Sequence, residues 1–245
     1  MRAYELLKET FCRKLYIWMV HLSWLAFYGL VYTLFRPEAE KLGQLLWICS
    51  GCLLPLLLSA GVIGDDIASG RIRVLIAKPF WPGELYVYRL IGLSLQGAVH
   101  LFLAFVLLKV LQGVTGAGGI ENLGSWLVAA WLLFIVWAAL STSLSVVVGR
   151  SYNSLLLFVA LVFVLLSVDL LRLHTSQYRH AGAKMILDIL KYTCPPFVLL
   201  NQFATREHGL LQSAAVAAHS LMLMLVYGGI GLFLLHRRQF PSVGR

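Results

Sequence analysis

Apolar residues in this chain neither alternate nor keep to one helical face; they fill whole stretches. Six such runs stand at about 15–35, 42–63, 90–111, 125–148, 154–171 and 211–235. Each reaches about 18 residues or more with few or no charges, the length needed to cross a hydrocarbon layer ~30 Å thick. A helix that is apolar all round needs lipid or a very large core around it. The pattern therefore predicts an all-α, polytopic membrane protein: six transmembrane helices in one transmembrane domain, 1–245, preceded by an N-terminal amphipathic helix.

The polar intervals carry the rest. Residues 2–14 set Tyr4, Leu7, Phe11 and Leu15 at helical spacing, with Arg2, Glu5, Lys8, Glu9, Arg13 and Lys14 mostly elsewhere around the axis. That suits an interfacial helix lying on the membrane before the chain turns inward, the plainer alternative being a frayed basic tail. Segment 64–89 collects Asp65, Asp66, Arg71, Arg73, Lys78, Arg89, Pro79 and Pro82 between two apolar runs, so it reads as a water-exposed loop. Segment 172–210 places Met185, Ile186, Ile189 and Leu190 on one helical face and Lys184, Asp188 and Lys191 on the other, a short surface helix. Cys194-Pro195-Pro196 stops it, because proline removes a backbone donor and disfavours helix before it. The stretch 197–203 can dip back into lipid only where protein or water shields its backbone.

Basic residues orient the chain. With both termini cytoplasmic, twelve of the twenty Lys and Arg fall on the inner side, including those of 64–89, and eight on the outer side, five of them in 172–210. Loop 64–89 is then cytoplasmic and loop 172–210 extracytoplasmic.

Composition agrees: 60% of the 245 residues are hydrophobic and 13% charged, against roughly 45–50% and ~25% in soluble domains. The net charge of +9 does not point to nucleic acid, since the basic residues sit at the ends of apolar runs and form no stripe. Headgroup-facing lysines and arginines account for it. Cys12, Cys49, Cys52 and Cys194 form no disulfide framework. Cys49-x-x-Cys52 has metal or redox spacing, but it lies within an apolar run with no second pair or His nearby, which favours small packing residues. No metal site is expected. The N-terminus does not read as a cleavable signal, because Glu5 and Glu9 interrupt its basic region and no Ala-x-Ala site follows.

Motifs of catalysis are missing. The chain has no Gly-x-x-x-x-Gly-Lys-Ser/Thr loop to cradle ATP phosphates, no Gly-x-Ser-x-Gly elbow and no His-Glu-x-x-His pair, so neither catalytic residues nor a cofactor are expected in this polypeptide. An ion-driven carrier needs ionisable groups deep in the bilayer; His21, His100 and His219 lie within runs, with Lys109 and Asp169 near ends, and lone histidines more often pack than transport. Ser141, Ser145 and Gly149 recur at four-residue intervals in the fourth run, a small-residue stripe that lets helices approach closely. Gly228, Gly229 and Gly231 invite the same reading, or a bend.

With these features the chain resembles the ABC-2 family of ABC transporter permeases. An amphipathic N-terminus and six spans match it in topology. At residue level, the second run is followed by Asp65 and Asp66, Ser69-Gly70, Leu75, Pro79, Glu84 and Arg89; the family usually has Glu at the acidic position and often Lys at the basic one, so Asp66 and Arg89 are charge-conserving departures. The resemblance implies that Asp65, Asp66, Gly70, Arg71, Arg73, Pro79, Glu84 and Arg89 belong to a coupling element, 65–84, docking on a separate nucleotide-binding ATPase subunit that holds ATP and Mg. It further implies a second permease copy, most simply a homodimer, an exporter's substrate path between the copies, and the cell membrane of a prokaryote. The residues fit such docking on their own terms: Ile67, Val74, Leu75 and Ile76 can seat in a groove, Asp65 and Asp66 suit a helix N-terminus, and Arg71 and Arg73 suit partner carboxylates. A solvated loop is the simpler alternative. Leu, Val, Phe and Trp47 on spans two and five suggest a lipid-like, peptide or amphipathic drug-like cargo. Other readings are an ABC permease specialised for haem or copper-enzyme maturation, an ion-coupled carrier, and a membrane scaffold.

Overall fold

The structure, a computed structural model, describes residues 8–10, 15–35, 39–71, 82–115, 123–148, 152–162, 199–200, 203–204 and 210–238, together with Gly182 and Met185. Apart from turns they are helical, with no strand among the described residues. Helix α1 is Leu15–Phe35. The second run divides into α2 (Ala39–Leu46), a π-helical segment (Trp47–Leu53) and α3 (Leu54–Leu58). A short α4 (Gly64–Ala68) follows, then α5 (Pro82–Thr115), α6 (Leu123–Val147), α7 (Tyr152–Val162) and α8 (Leu210–Arg237).

Among the described residues, five helical stretches are long and apolar enough to cross a membrane: Trp18–Phe35, Lys41–Leu58, Gly83–Thr115, Leu123–Val147 and Ser213–Arg237. The fifth expected span, 154–171, is represented by α7, and residues 163–171 lie outside the described residues. So do most of 2–14 and 172–210, and, among the expected site residues, Arg73, Pro79 and Gly149.

Two boundaries differ from the sequence reading. The second span ends at Leu58, where residues 59–63 turn. The third begins at Pro82 rather than near 90, so Glu84 and Arg89, expected on a loop, lie on helix. Pro82 opens it without loss, since a first-turn N–H has no intrahelical partner. At 1.5 Å per residue its 34 residues run about 51 Å, well beyond a ~30 Å hydrocarbon layer. The π segment has an equally local cause. Pro55 has no N–H to donate to the carbonyl four residues back, and the ladder widens so that the Leu54 N–H bonds Cys49 O, a five-residue step.

Helix α6 is the axis of the bundle. It is buried on every side from Leu132 to Ala139 and packs against α8, the π segment, α3 and α5. Helices α1, α5, α7 and α8 turn rows of Leu, Val, Phe and Met outward, as lipid-facing helices must. Without a hydrophobic drive between helices in lipid, close packing decides their fit. One tight seat is Gly97 of α5 beneath the Phe134 ring of α6, where a Cβ would come within 2.6 Å of ring carbons.

Replacing Gly97 by Val should therefore overpack this seat and cost about 1–3 kcal/mol, read as a lower midpoint of thermal unfolding in detergent. Gly113→Val on the same helix, whose Cβ would meet nothing within 4 Å, should leave the midpoint unchanged.

Candidate coupling site

Local sequence makes the turn after the second span unusually sharp. Gly61 takes φ +65°, a left-handed conformation that costs a glycine little, and a Cβ there would run into the Asp65 carboxylate. Helix α4 starts three residues later and stops at Gly70, again left-handed at φ +72°, the usual glycine stop.

No side chain of its own caps α4. Instead Ser145, projecting from α6, accepts the Ile63 N–H at 3.0 Å and the Gly64 N–H at 3.2 Å. Asn153, at the start of α7, accepts the Gly61 N–H at 3.1 Å through Oδ1. Its Nδ2 donates to Ser59 O, Ser141 O and Ser141 Oγ at 3.0–3.2 Å, and Ser59 Oγ lies 2.6 Å from Ser141 Oγ. Ser59, Ser141, Ser145 and Asn153 are all fully buried. Of the predicted small-residue stripe, Ser145 thus binds the backbone of the turn, while Ser141 bonds the Ser59 and Asn153 side chains beside it.

The charged half lies just beyond. Asp65 and Asp66 occupy the first turn of α4, where the helix's positive end favours them. Asp66 is fully buried and faces Arg89 of α5, also fully buried, with Arg89 Nη2 3.3 Å from Asp66 Oδ2. The same guanidinium donates from Nη2 to Glu9 Oε1 at 2.9 Å and from Nη1 to Thr10 Oγ1 at 3.0 Å. Arg71 reaches the same Glu9 oxygen at 2.6 Å, with side chains 45% (Arg71) and 25% (Glu9) exposed. Among the described residues two acids and two bases meet here, and charge-assisted bonds of this kind are the strong ones. Gln96, two turns along α5, donates to Thr10 O at 3.1 Å, and Gly92 lies between, where a Cβ would come within 2.8 Å of Thr10. Arg89, Gly92 and Gln96 form one face of α5 that receives the 8–10 turn.

The expected coupling residues therefore divide. Asp66 and Arg89 are interior. Asp65 and Gly70 are partly exposed, Arg71 and Glu84 exposed, and Arg71 is already engaged by Glu9 of its own chain. Glu9, Thr10, Ser59 and Asn153 are additions that residue type alone did not single out. A carboxylate on the otherwise basic N-terminal stretch and an asparagine opening an apolar run were the available signals.

The histidines also rearrange the sequence picture. His21 of α1 and His100 of α5 are not lone: their Nδ1 atoms lie 3.1 Å apart in the buried seam between the two helices, so one ring donates and the other accepts. Cys49 and Cys52 are buried and unbridged, and no group of three or more metal-ligating side chains occurs among the described residues.

Residues 20–240 match the family described as ABC-2 family transporter protein, a stretch covering nearly all of the helical body and the charged cluster's α4 and α5. The chain belongs to the ABC-2 family. No curated protein matches it. Membership makes this ABC-2 protein a multi-pass membrane component of a transporter, not itself catalytic, and implies a partner ATPase.

Burial sets the expected energetics of the cluster. Arg89→Met strands the buried Asp66 carboxylate and should cost about 3–5 kcal/mol, seen as poor yield or a much lower unfolding midpoint. Arg71→Ala removes a half-exposed pair and should cost no more than about 1 kcal/mol. Comparable losses from both variants would contradict this division.

Proposed function

We propose that this ABC-2 protein is the permease subunit of an exporter, forming the substrate path and driven by a separate ATPase that docks on residues 65–84 at the cytoplasmic face. ATP and Mg reside on that partner. Two permease copies, taken as a homodimer, flank the path; both termini are cytoplasmic, six spans cross the cell membrane of a prokaryote, and 172–210 lies outside.

The observation that carries this reading is Arg89. One fully buried guanidinium holds α4, the 8–10 turn and the third span together, so a force on α4 is delivered to the bundle rather than absorbed in a slack loop. Within the coupling set, Asp66 and Arg89 are the transmission. Asp65, Gly70, Arg71 and Glu84 are the accessible face; Arg73 and Pro79, assigned to the same docking segment, lie outside the described residues. Because ligands act only through differential affinity for two states, the partner's nucleotide cycle must bind this face differently in its ATP and ADP forms, rocking the spans between inward and outward access.

The His21–His100 pair favours a second reading, an ion-coupled carrier, because ionisable groups inside a membrane are costly and kept for use. Such a carrier works without an ATPase and fails on His100→Gln.

Purification in mild detergent decides between them. A stoichiometric ATPase bearing Gly-x-x-x-x-Gly-Lys-Ser/Thr should accompany the wild-type chain; Arg71→Glu should release it at unchanged permease yield, and Gly70→Pro, which cannot keep φ +72°, should release it by displacing the segment. Retention by both variants would reject docking on this segment. A Ser69→Cys variant in a cysteine-free background should react with an impermeant thiol reagent from the cytoplasmic side; reaction from outside would reject the orientation.

A further inference from the structure

We propose that the groove bounded by α5, α6 and α8 is a binding site for one acyl chain of a membrane phospholipid. It encloses about 520 Å³ between Tyr86–Leu95, Trp131–Ile135 and Leu221–Leu232. Its polar side chains all turn into the protein. Ser94 Oγ donates to Leu90 O at 2.9 Å, Trp131 Nε1 donates to Ser94 O at 3.3 Å, and Tyr86 OH bonds Ser143 Oγ at 2.8 Å. What remains facing the groove is hydrocarbon, and an apolar cavity gives water too few partners to enter.

The groove opens outward, since Val87, Leu95, Leu221 and Leu225 along its walls are exposed. In a membrane that opening meets lipid tails. Dimensions choose the occupant. Leu221 to Leu232 spans about 16 Å at 1.5 Å per helical residue, so 520 Å³ spread along it gives a bore of about 6 Å. A helix with its side chains is ~10–12 Å across and cannot enter. An extended hydrocarbon chain of 1.52 Å tetrahedral bonds advances about 1.25 Å per carbon, so about thirteen carbons fit end to end. Gly228 and Gly229 give the groove its width, and a Cβ on Gly229 meets nothing within 4 Å, so a larger side chain there projects into the space the acyl chain takes.

The full-length protein is purified in detergent, delipidated by extended washing and examined by native mass spectrometry. The wild type should retain one phospholipid. Gly229→Phe should lower that occupancy at least tenfold, while Gly113→Phe, open at its Cβ but remote from the groove, should retain it. Equal retention by Gly229→Phe, or none by the wild type, overturns the proposal. A second measurement needs no bulky substitution: in nanodiscs of phosphatidylcholine brominated mid-chain, the quenched fraction of tryptophan fluorescence should fall on Trp131→Phe, and an unchanged fraction also overturns it. Should Leu225→Cys cross-link to a second copy in native membranes, a protein covers the groove and the lipid assignment is wrong.

Discussion

A guanidinium with no exposed surface, at one end of the helical bundle, is the constraint on which that end of this protein is built. Stripped of water, the Arg89 charge costs several kcal/mol unless opposite charge and good acceptors surround it. The chain supplies these from two distant places, Asp66 on α4 and Glu9 with Thr10 at the N-terminus. Neither source can leave without stranding the other's partner. The position of α4 against α5 and the placement of the 8–10 turn beside it are therefore consequences of one charge being satisfied.

Next to this ionic knot sits a neutral one, and the two differ in how they respond. The bonds from Ser145 and Asn153 to the backbone of 61–64 are buried and uncharged, so salt does not screen them and no external ion competes for them. The Arg71–Glu9 pair is half in water, where screening and exchange with another carboxylate are cheap. Stiffness thus falls along the chain from residue 61, fixed to α6, through residue 66, fixed to α5, to residue 71, held by a replaceable contact. An element with an anchored root and an exchangeable tip is what this gradient describes.

How much of this was legible in the sequence follows from the range of each signal. Apolar runs report burial in lipid whatever they pack against, so the helical membrane body and most span edges could be read directly. Asp65 and Asp66 at the start of a helix, and Gly70 past its end, follow from local capping chemistry, and the structure has them there. Arg89 could not be read. A basic residue beside an apolar run has the same local sequence whether it snorkels to headgroups or is walled in, and the difference lies in Glu9, eighty residues away. For the same reason His21 and His100 look solitary in a string of letters and meet only when α1 lies along α5. The π segment was hidden by its ordinary composition, though Pro55 in mid-span is its physical cause.

Helix α5 ties these features together, and its stiffness limits how the protein can move. On one rod it carries Glu84 in solvent, Arg89 in the ionic knot, Gly97 beneath Phe134 and His100 against His21. From Arg89 to His100 is about 16 Å of unbroken helix. Seats as tight as Gly97 on Phe134 do not deform by degrees, because packed interiors exchange between discrete arrangements rather than flexing continuously. A displacement imposed at the Arg89 end must then either stop there or carry the rod as a body, shifting the His21–His100 contact with it.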